Sequence, residues 1–284
     1  MKFSRAAFLA ATLLLAGCGE RPERAAHSGL RVIAMAPNTA EVLYALGLSN
    51  EVVGVSRFCS YPADVKNKPS VGGLYDPNWE MIVALQPNIV IGLETQKEIE
   101  GQLKALDIKF LGVSHEHISE ILQSILTIGE ACGAEKQAQE LFQCLEATTL
   151  RLTISSNDWK PKVLVCVGHD ESLSRMYIAA RGTFYDELIE LAGGINACKT
   201  TAGNYPEISP EGLAVMNPDL VIDIFPNRSN AWKNNGVQAQ PASEAWKPYR
   251  ALAITNDYAW TPGPRFVLLL EDFTRAIHQK TESK

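Results

Sequence analysis

The sequence predicts an α/β protein: two parallel-sheet lobes joined by one long rigid helix. Three observations carry this. Short apolar runs alternate with helix-period segments in two separate series, an unbroken helical segment lies between the series, and one strand-and-helix unit occurs twice without a gap. At 284 residues the chain exceeds the ~100–150 residues typical of one domain, so two lobes suit its length.

In chain order, Lys2 and Arg5 precede an apolar run from Ala6 to Ala16 and then Leu15-Ala16-Gly17-Cys18. That is a charged, then apolar, then small-residue export leader. The run falls well short of the ~20 apolar residues a spanning helix needs. A cysteine directly after Leu-Ala-Gly is the lipobox pattern, so residues 1–18 are expected to be a lipoprotein signal whose Cys18 is acylated. Residues 19–29 are polar and contain Pro22, which makes them a flexible tether. The expected location is the outer face of a membrane, periplasmic or cell-surface, held by lipid.

The first lobe, residues 30–133, reads as strand at Arg31-Val-Ile-Ala-Met and helix at Thr39–Leu46. Strand at Val52–Val55, helix at Trp79–Leu85, strand at Asn88–Ile91, helix at Glu98–Leu106 and strand at Phe110–Val113 follow. Regular alternation of this kind builds a parallel sheet covered by its crossover helices. Residues 134–160 read as a single interlobe helix, with Ala134, Ala138, Leu141, Leu145, Thr148 and Leu152 spaced by three and four. No Gly or Pro interrupts it before Trp159, giving a strut of roughly 35 Å at ~1.5 Å per residue. The second lobe, residues 161–284, restarts with a strand at Val163–Val167. It continues through Phe184–Leu191, Pro210–Met216, Leu220–Ile222, Tyr249–Ile254 and Arg265–Ile277.

The two series echo each other. Asn78–Ile91 aligns with Ser209–Ile222 so that Glu80 meets Glu211 and Pro87 meets Pro218. Each proline ends a helix and forces an extended entry into the next strand.

Charge and cysteine usage exclude other classes. The chain has 26 basic and 32 acidic residues, net −6, and losing a leader with Lys2 and Arg5 makes the rest more acidic. A nucleic-acid partner needs a basic stripe, and none is present. Cys59, Cys132, Cys144, Cys166 and Cys198 show no C-x-x-C spacing, so neither a zinc knuckle nor a dithiol redox site is indicated. Export places them where one or two disulfides can form, with the pairing open. Small apolar core residues are the competing role, most of all for Cys132, Cys144 and Cys166. An exported enzyme is the alternative class, but neither a Gly-x-Ser-x-Gly elbow nor a Gly-x-x-x-x-Gly-Lys loop is found.

The Val-Val-Gly-Val-Ser strand, Ser60-Tyr61-Pro62, Val71-Gly72-Gly73 and the Glu80–Pro87 unit with its Glu211–Pro218 copy together resemble the periplasmic binding proteins for cobalamin, ferric siderophores and heme. The resemblance runs from Leu30 to Ile277. It implies a monomeric binding protein, not an enzyme, needing no cofactor, that holds a metal-chelate ligand between its lobes. The implied partner is a dimeric ABC transporter permease with its ATPase, and Glu80 and Glu211 match the glutamates that dock on permease arginines. Both also suit the positive end of a helix dipole.

Loops at strand ends carry Phe58, Tyr75, Tyr205, Asp257, Tyr258 and Trp260, which we take as candidate ligand-binding residues. Aromatic rings suit a flat macrocycle. Phe58, Tyr205 and Asp257 match positions used by the cobalamin-binding member, and Asn204-Tyr-Pro-Glu-Ile-Ser looks more like a cobalamin binder than a siderophore binder. Leu74 and Thr261 depart from that member, which has Trp and Arg there. A corrinoid is therefore the expected ligand, with a ferric siderophore or heme as alternative. No resident metal site is expected; His169 is the one candidate axial ligand, while His115 and His117 are expected to start a surface helix.

Overall fold

The computed structural model describes residues 29–154, 160–170, 172–201, 203–224, 237–238, 246 and 249–278. The leader, the tether and Cys18 lie outside these apart from Gly29, as do residues 155–159. The chain divides into two compact units. The first runs to Ser114 and takes in Glu120–Glu146; the second comprises His115–Ser119 and everything from Ala147 onward.

In the first unit, strands β1 (Val32–Ala34), β2 (Val52–Val55), β3 (Ile89–Leu93) and β4 (Lys109–Val113) form a parallel sheet in the order β2-β1-β3-β4. Helices α1 (Pro37–Ala45), α2 (Trp79–Ala84) and α3 (Lys97–Ala105) are its crossovers. Strand side chains alternate between faces, so Ile33, Met35 and Val90 share one face. There they bury against Ile82 of α2 and Ile99 and Leu103 of α3. Helix α4 (Ile118–Cys132) follows, with Ile121, Ile125 and Ile128 buried at helical spacing.

The long helix is α5, Glu135–Leu152. Its residues to Glu146 belong to the first unit and those from Ala147 to Leu152 to the second. It stops short of the expected Trp159. The Thr153 hydroxyl bonds back to the Thr149 carbonyl at 2.8 Å, and the Ile154 amide leaves the helical ladder to donate to Leu191 O at 2.8 Å.

The second unit contains β5 (Lys162–His169), β6 (Met176–Ile178), α6 (Phe184–Leu191), β7 (Ile195–Asn196), β8 (Glu207–Ile208) and α7 (Pro210–Met216). Beyond these come β9 (Leu220–Asp223), β10 (Val237–Gln238), β11 (Ala251–Ile254) and α8 (Phe266–His278). The strand order is β10-β11-β9-β5-β6-β8, with β7 also on β5. Strands β11, β9, β5 and β7 are parallel, as expected, whereas β6, β8 and β10 pair antiparallel, so the sheet is mixed.

The internal repeat reaches further than the aligned segment. Asn88 Oδ1 accepts from the Arg31 amide at 2.6 Å, and Asp219 Oδ2 accepts from the Lys162 amide at 2.7 Å. Val32 pairs with Ile89 as Val163 pairs with Leu220. Ile33, Met35, Ile82 and Val90 in one core correspond to Leu164, Cys166, Leu213 and Val221 in the other. Gln86 and Asn217, each just before the turn proline, both take a left-handed conformation, φ 44° and 45°. That geometry is uncommon for non-glycine residues, and its recurrence shows that the two units share one turn conformation at this point.

Candidate functional site

In the first unit, β2 delivers the chain into Ser56-Arg57-Phe58-Cys59. Ser56 and Cys59 are buried and anchor the loop, while Phe58 is turned outward at 52% exposure. Arg57 supports it: the guanidinium lies 5.4 Å from the Phe58 ring centre. The Arg57 amide donates to Gly72 O at 2.8 Å, and Nη2 pairs with the Asp76 carboxylate. That stitches the Phe58 loop to the loop carrying Tyr75, which is 69% exposed. A further tie comes from Gln96, buried beyond β3. Its Oε1 accepts from the Leu93 amide at 2.7 Å and its Nε2 donates to Leu74 O. The structure therefore sets two exposed aromatics on interlocked loops.

In the second unit, Tyr205 is 43% exposed, and its ring meets Tyr185 edge-on at 6.3 Å. Tyr185 is buried and donates to Ala259 O at 2.7 Å, which connects the Tyr205 support to the 3₁₀ turn Asp257–Trp260. The preceding Asn204 donates to Glu116 Oε2 at 2.6 Å. Within the turn, Asp257 is paired with Arg265 at 2.7 Å. Tyr258 donates to buried Asp272 at 2.6 Å, and Arg265 lies 5.6 Å from the Tyr258 ring centre. Burial lifts the Tyr258 phenol well above its usual pKa, and its hydrogen bond to Asp272 adds to this. The polar ends of Asp257 and Tyr258 thus already have protein partners, and Trp260 is half-buried beside them.

His169, at the end of β5, has both ring nitrogens beside protein oxygens. Nδ1 lies 2.7 Å from Asp170 O and Nε2 lies 3.1 Å from Asp223 Oδ2. The same carboxylate oxygen accepts from Trp246 Nε1 at 3.0 Å, and the Trp246 ring meets the imidazole edge-on at 6.0 Å. Burial alone would lower the His169 pKa, but the hydrogen bond and charge of Asp223 outweigh it and raise the value. Among the described residues no cluster of three or more His, Cys, Asp or Glu side chains is placed to hold a metal ion. His117 Nδ1 lies 2.7 Å from Glu187 Oε1 just ahead of α4.

Glu80 and Glu211 are both exposed in the first turns of α2 and α7. Asn78 and Ser209 cap those helices, accepting from the amides of Met81 and Gly212 at 3.0 and 3.4 Å. Hydrogen bonding from Ser209 holds the Glu211 carboxyl below its usual pKa. Cys59, Cys132, Cys166 and Cys198 are buried free thiols. Sequence reasoning missed the Arg57–Asp76 pair, Gln96 and the His169–Asp223–Trp246 network. Only Arg57, beside Phe58, carried a local signal.

Two repeated α/β units with exposed rings on strand-end loops have the build of a small-molecule binding protein. The family model described as periplasmic binding protein matches residues 32–248, and the chain belongs to that family of exported proteins, which serve ABC transporter permeases. A Bacillus subtilis (strain 168) protein described as an uncharacterized ABC transporter substrate-binding lipoprotein, YvrC, is 28% identical over 261 residues, covering 88% of this chain and 81% of that one. A vitamin B12-binding protein of Photorhabdus laumondii is 24% identical over 259 residues, covering 88% of each. The solved apo structure of the periplasmic heme-binding protein RhuT from Roseiflexus sp. RS-1 superposes with TM-score 0.72 at 24% identity, covering 88% of this chain and 98% of that one. That likeness speaks for the fold. These relatives are binding proteins rather than enzymes. Among the described residues no helix is long and apolar enough to cross a membrane.

Proposed function

We propose that this protein is a lipid-anchored receptor that captures a corrinoid and delivers it to a dimeric ABC permease with its ATPase. The observation that carries the ligand reading is the set of outward-facing rings, Phe58, Tyr75 and Tyr205, each braced by a buried or ion-paired support. Leaving large rings in water on otherwise well-packed loops forgoes burial worth ~1.5–3 kcal/mol per side chain, and a flat macrocycle recovers it. The match to a vitamin B12-binding protein over 88% of the chain supports the same ligand class. Asp257, Tyr258 and Trp260, all half-buried, complete the proposed binding set.

Glu80 and Glu211 are proposed to dock on permease arginines, since two like carboxylates on two copies of one unit suit a partner with two-fold symmetry. Cys18 is proposed as the lipid attachment point, supported by the Leu-Ala-Gly-Cys sequence.

The test is titration of the purified protein with cobalamin, cobinamide, heme and a ferric siderophore, followed by absorbance and native mass spectrometry. One corrinoid per chain is the expected result. Uptake of heme or a ferric chelate with no response to either corrinoid would replace the ligand and keep the receptor role.

A further inference from the structure

We propose that a cavity at the amino ends of β3 and β4 is a second binding site, for a small zwitterion that joins a phosphate to a primary ammonium: the phosphoethanolamine group, free or as a lipid headgroup. The proposal rests on the lipid-anchor reading for the source of its ligand and on the cavity itself for the site.

The cavity has a volume of about 360 Å³, at the small end of the ~300–1,000 Å³ usual for ligand pockets. It lies across the end of α3 and the start of β4. Ile108 and Phe110, both half-buried, give it an apolar wall, and Lys104, Asp107 and Lys109 stand exposed around it. The strands of this sheet are parallel, so the cavity is at the opposite end from Phe58, which follows the carboxyl end of β2.

The charges on its rim are gathered but unpaired. Glu100 is taken up by Lys97 at 3.3 Å, whereas no hydrogen bond or ion pair joins the side chains of Lys104, Asp107 or Lys109 to another described residue. Asp107 is placed at a cost. The Ile108 amide reaches back to Leu103 O at 2.9 Å and the Asp107 amide to Lys104 O at 3.2 Å, which ends α3 with Asp107 in the left-handed position, φ 55°. Glycine or asparagine is usual there, and a carboxylate meets the negative end of the helix dipole. Two unpaired ammoniums with one unpaired carboxylate match a phosphate that carries its own ammonium. A plain anion would instead be repelled by Asp107.

Position supplies the source of the ligand. Asn88, also on the cavity, accepts from the Arg31 amide at 2.6 Å, so the cavity sits where the chain coming from Cys18 enters the fold. Thirteen positions separate Cys18 from Arg31, a reach of at most ~45 Å. An acylated Cys18 thus keeps the cavity close to a surface of headgroups, whose high effective concentration compensates for the weakness of exposed charge pairs.

The acylated chain would be placed in phosphatidylcholine vesicles with and without phosphatidylethanolamine, and in a non-ionic detergent with O-phosphoethanolamine, ethanolamine or inorganic phosphate. Amine labelling read by mass spectrometry reports occupancy. Lys104 and Lys109 should react roughly fivefold more slowly with phosphatidylethanolamine or O-phosphoethanolamine than without, while exposed Lys66 and Lys136 change less than about twofold. Protection in either setting supports the site, and the setting shows whether the bilayer or a soluble compound supplies it. Asp107→Asn should remove the protection with an unchanged or higher melting temperature, a combination that a merely structural carboxylate does not give. Equal protection by inorganic phosphate, slowing of all four lysines together, protection that survives in Asp107→Asn, or none in either setting overturns the proposal. A chain that does not float with the vesicles would refute the lipid anchor, and the detergent arm alone would then decide the cavity.

Discussion

Replacing Phe58 with Ala tests the ligand reading most directly, because the size of the loss follows from the ring's surroundings. An aromatic side chain buries on the order of 200 Å² when fully covered, and Phe58 is 52% exposed, so roughly 100 Å² remains for a ligand to cover. At ~25 cal/mol per Å² that is about 2.5 kcal/mol, or roughly 60-fold in affinity at ~1.4 kcal/mol per tenfold. The variant's own fold should suffer little. It loses a guanidinium contact at an exposed site, worth ~0.5–1 kcal/mol, and an already solvated half-ring. Isothermal titration with cobalamin, beside a thermal melt, separates the two quantities. Phe58→Leu should recover part of the binding, since it restores apolar area without the flat face. A folded Phe58→Ala protein whose corrinoid affinity stays within about twofold of wild type would show that the ring does not touch the ligand.

Four further expectations follow from the same geometry. Glu80→Arg and Glu211→Arg should each depress transport in vesicles reconstituted with the permease, and the double reversal should nearly abolish it while the purified protein still saturates with ligand; lost ligand binding in either single variant would move that glutamate out of a docking role. For His169 the folded pKa is raised, so its stabilisation is fully present below the unfolded value of ~6.5 and is lost as pH rises through the folded value. The wild-type melting point should accordingly fall more between about pH 6 and pH 8.5 than that of His169→Gln, and parallel curves would refute the coupling to Asp223. Burial pushes the Cys59 and Cys132 thiols up to about 11 and Cys166 to about 12, so alkylation of the native protein at mild pH should spare them and label them only after unfolding. Cys18→Ser should release the protein from membranes without lowering its melting point, and a variant still partitioning into detergent with lipid attached would exclude Cys18 as the anchor.

How much was legible depended on whether the signal was local. The helix–proline–strand unit showed through because Glu80–Pro87 and Glu211–Pro218 align without a gap, and each proline leaves a fixed mark on the chain. Phe58, Tyr75 and Tyr205 could be picked out by their position in strand-end loops, but their exposure could not, since Tyr258 and Trp260 lie in such loops too and are half-buried. The His169–Asp223–Trp246 network did not, because it joins β5, β9 and a residue well beyond both, and no spacing rule connects residues paired only through a sheet. The Arg57–Asp76 pair was hidden for a similar reason: its partners sit in loops after different elements, and the meeting point is the side-chain-free space over Gly73. The early end of α5 was invisible to a rule that looks only for Gly and Pro. What stops the helix is competition for the Ile154 amide from Leu191 O, a tertiary contact.

The mixed sheet of the second unit has a cause that joins these points. The two copies run in register from Arg31 and Lys162, with Ile33 and Met35 answered by Leu164 and Cys166 in the cores. They part at the next step. In the first copy Ala36 leads into Pro37 at the start of α1, a position where the missing amide costs nothing and the fixed φ suits the helix. In the second copy Val167-Gly168-His169 offers no such start, so β5 runs on and turns back through β6 as an antiparallel hairpin. The extension carries His169 past the point where the first copy has already left its sheet, to meet Asp223 at the end of β9. The two units thus diverge where the first has Pro37 and the second has Gly168, and the titratable network of the second unit lies on the stretch by which β5 runs on. Placing Pro at position 168 should therefore break the β5–β6 pairing at Gly168–Tyr177 and cost on the order of 3 kcal/mol or more, the scale of proline in regular structure, whereas Gly168→Ala, whose added carbon would meet only Tyr177 at 3.6 Å and 4.0 Å, should fold normally. Melting temperatures of the two variants decide it: equal stability would mean that the hairpin is not what holds His169 in place.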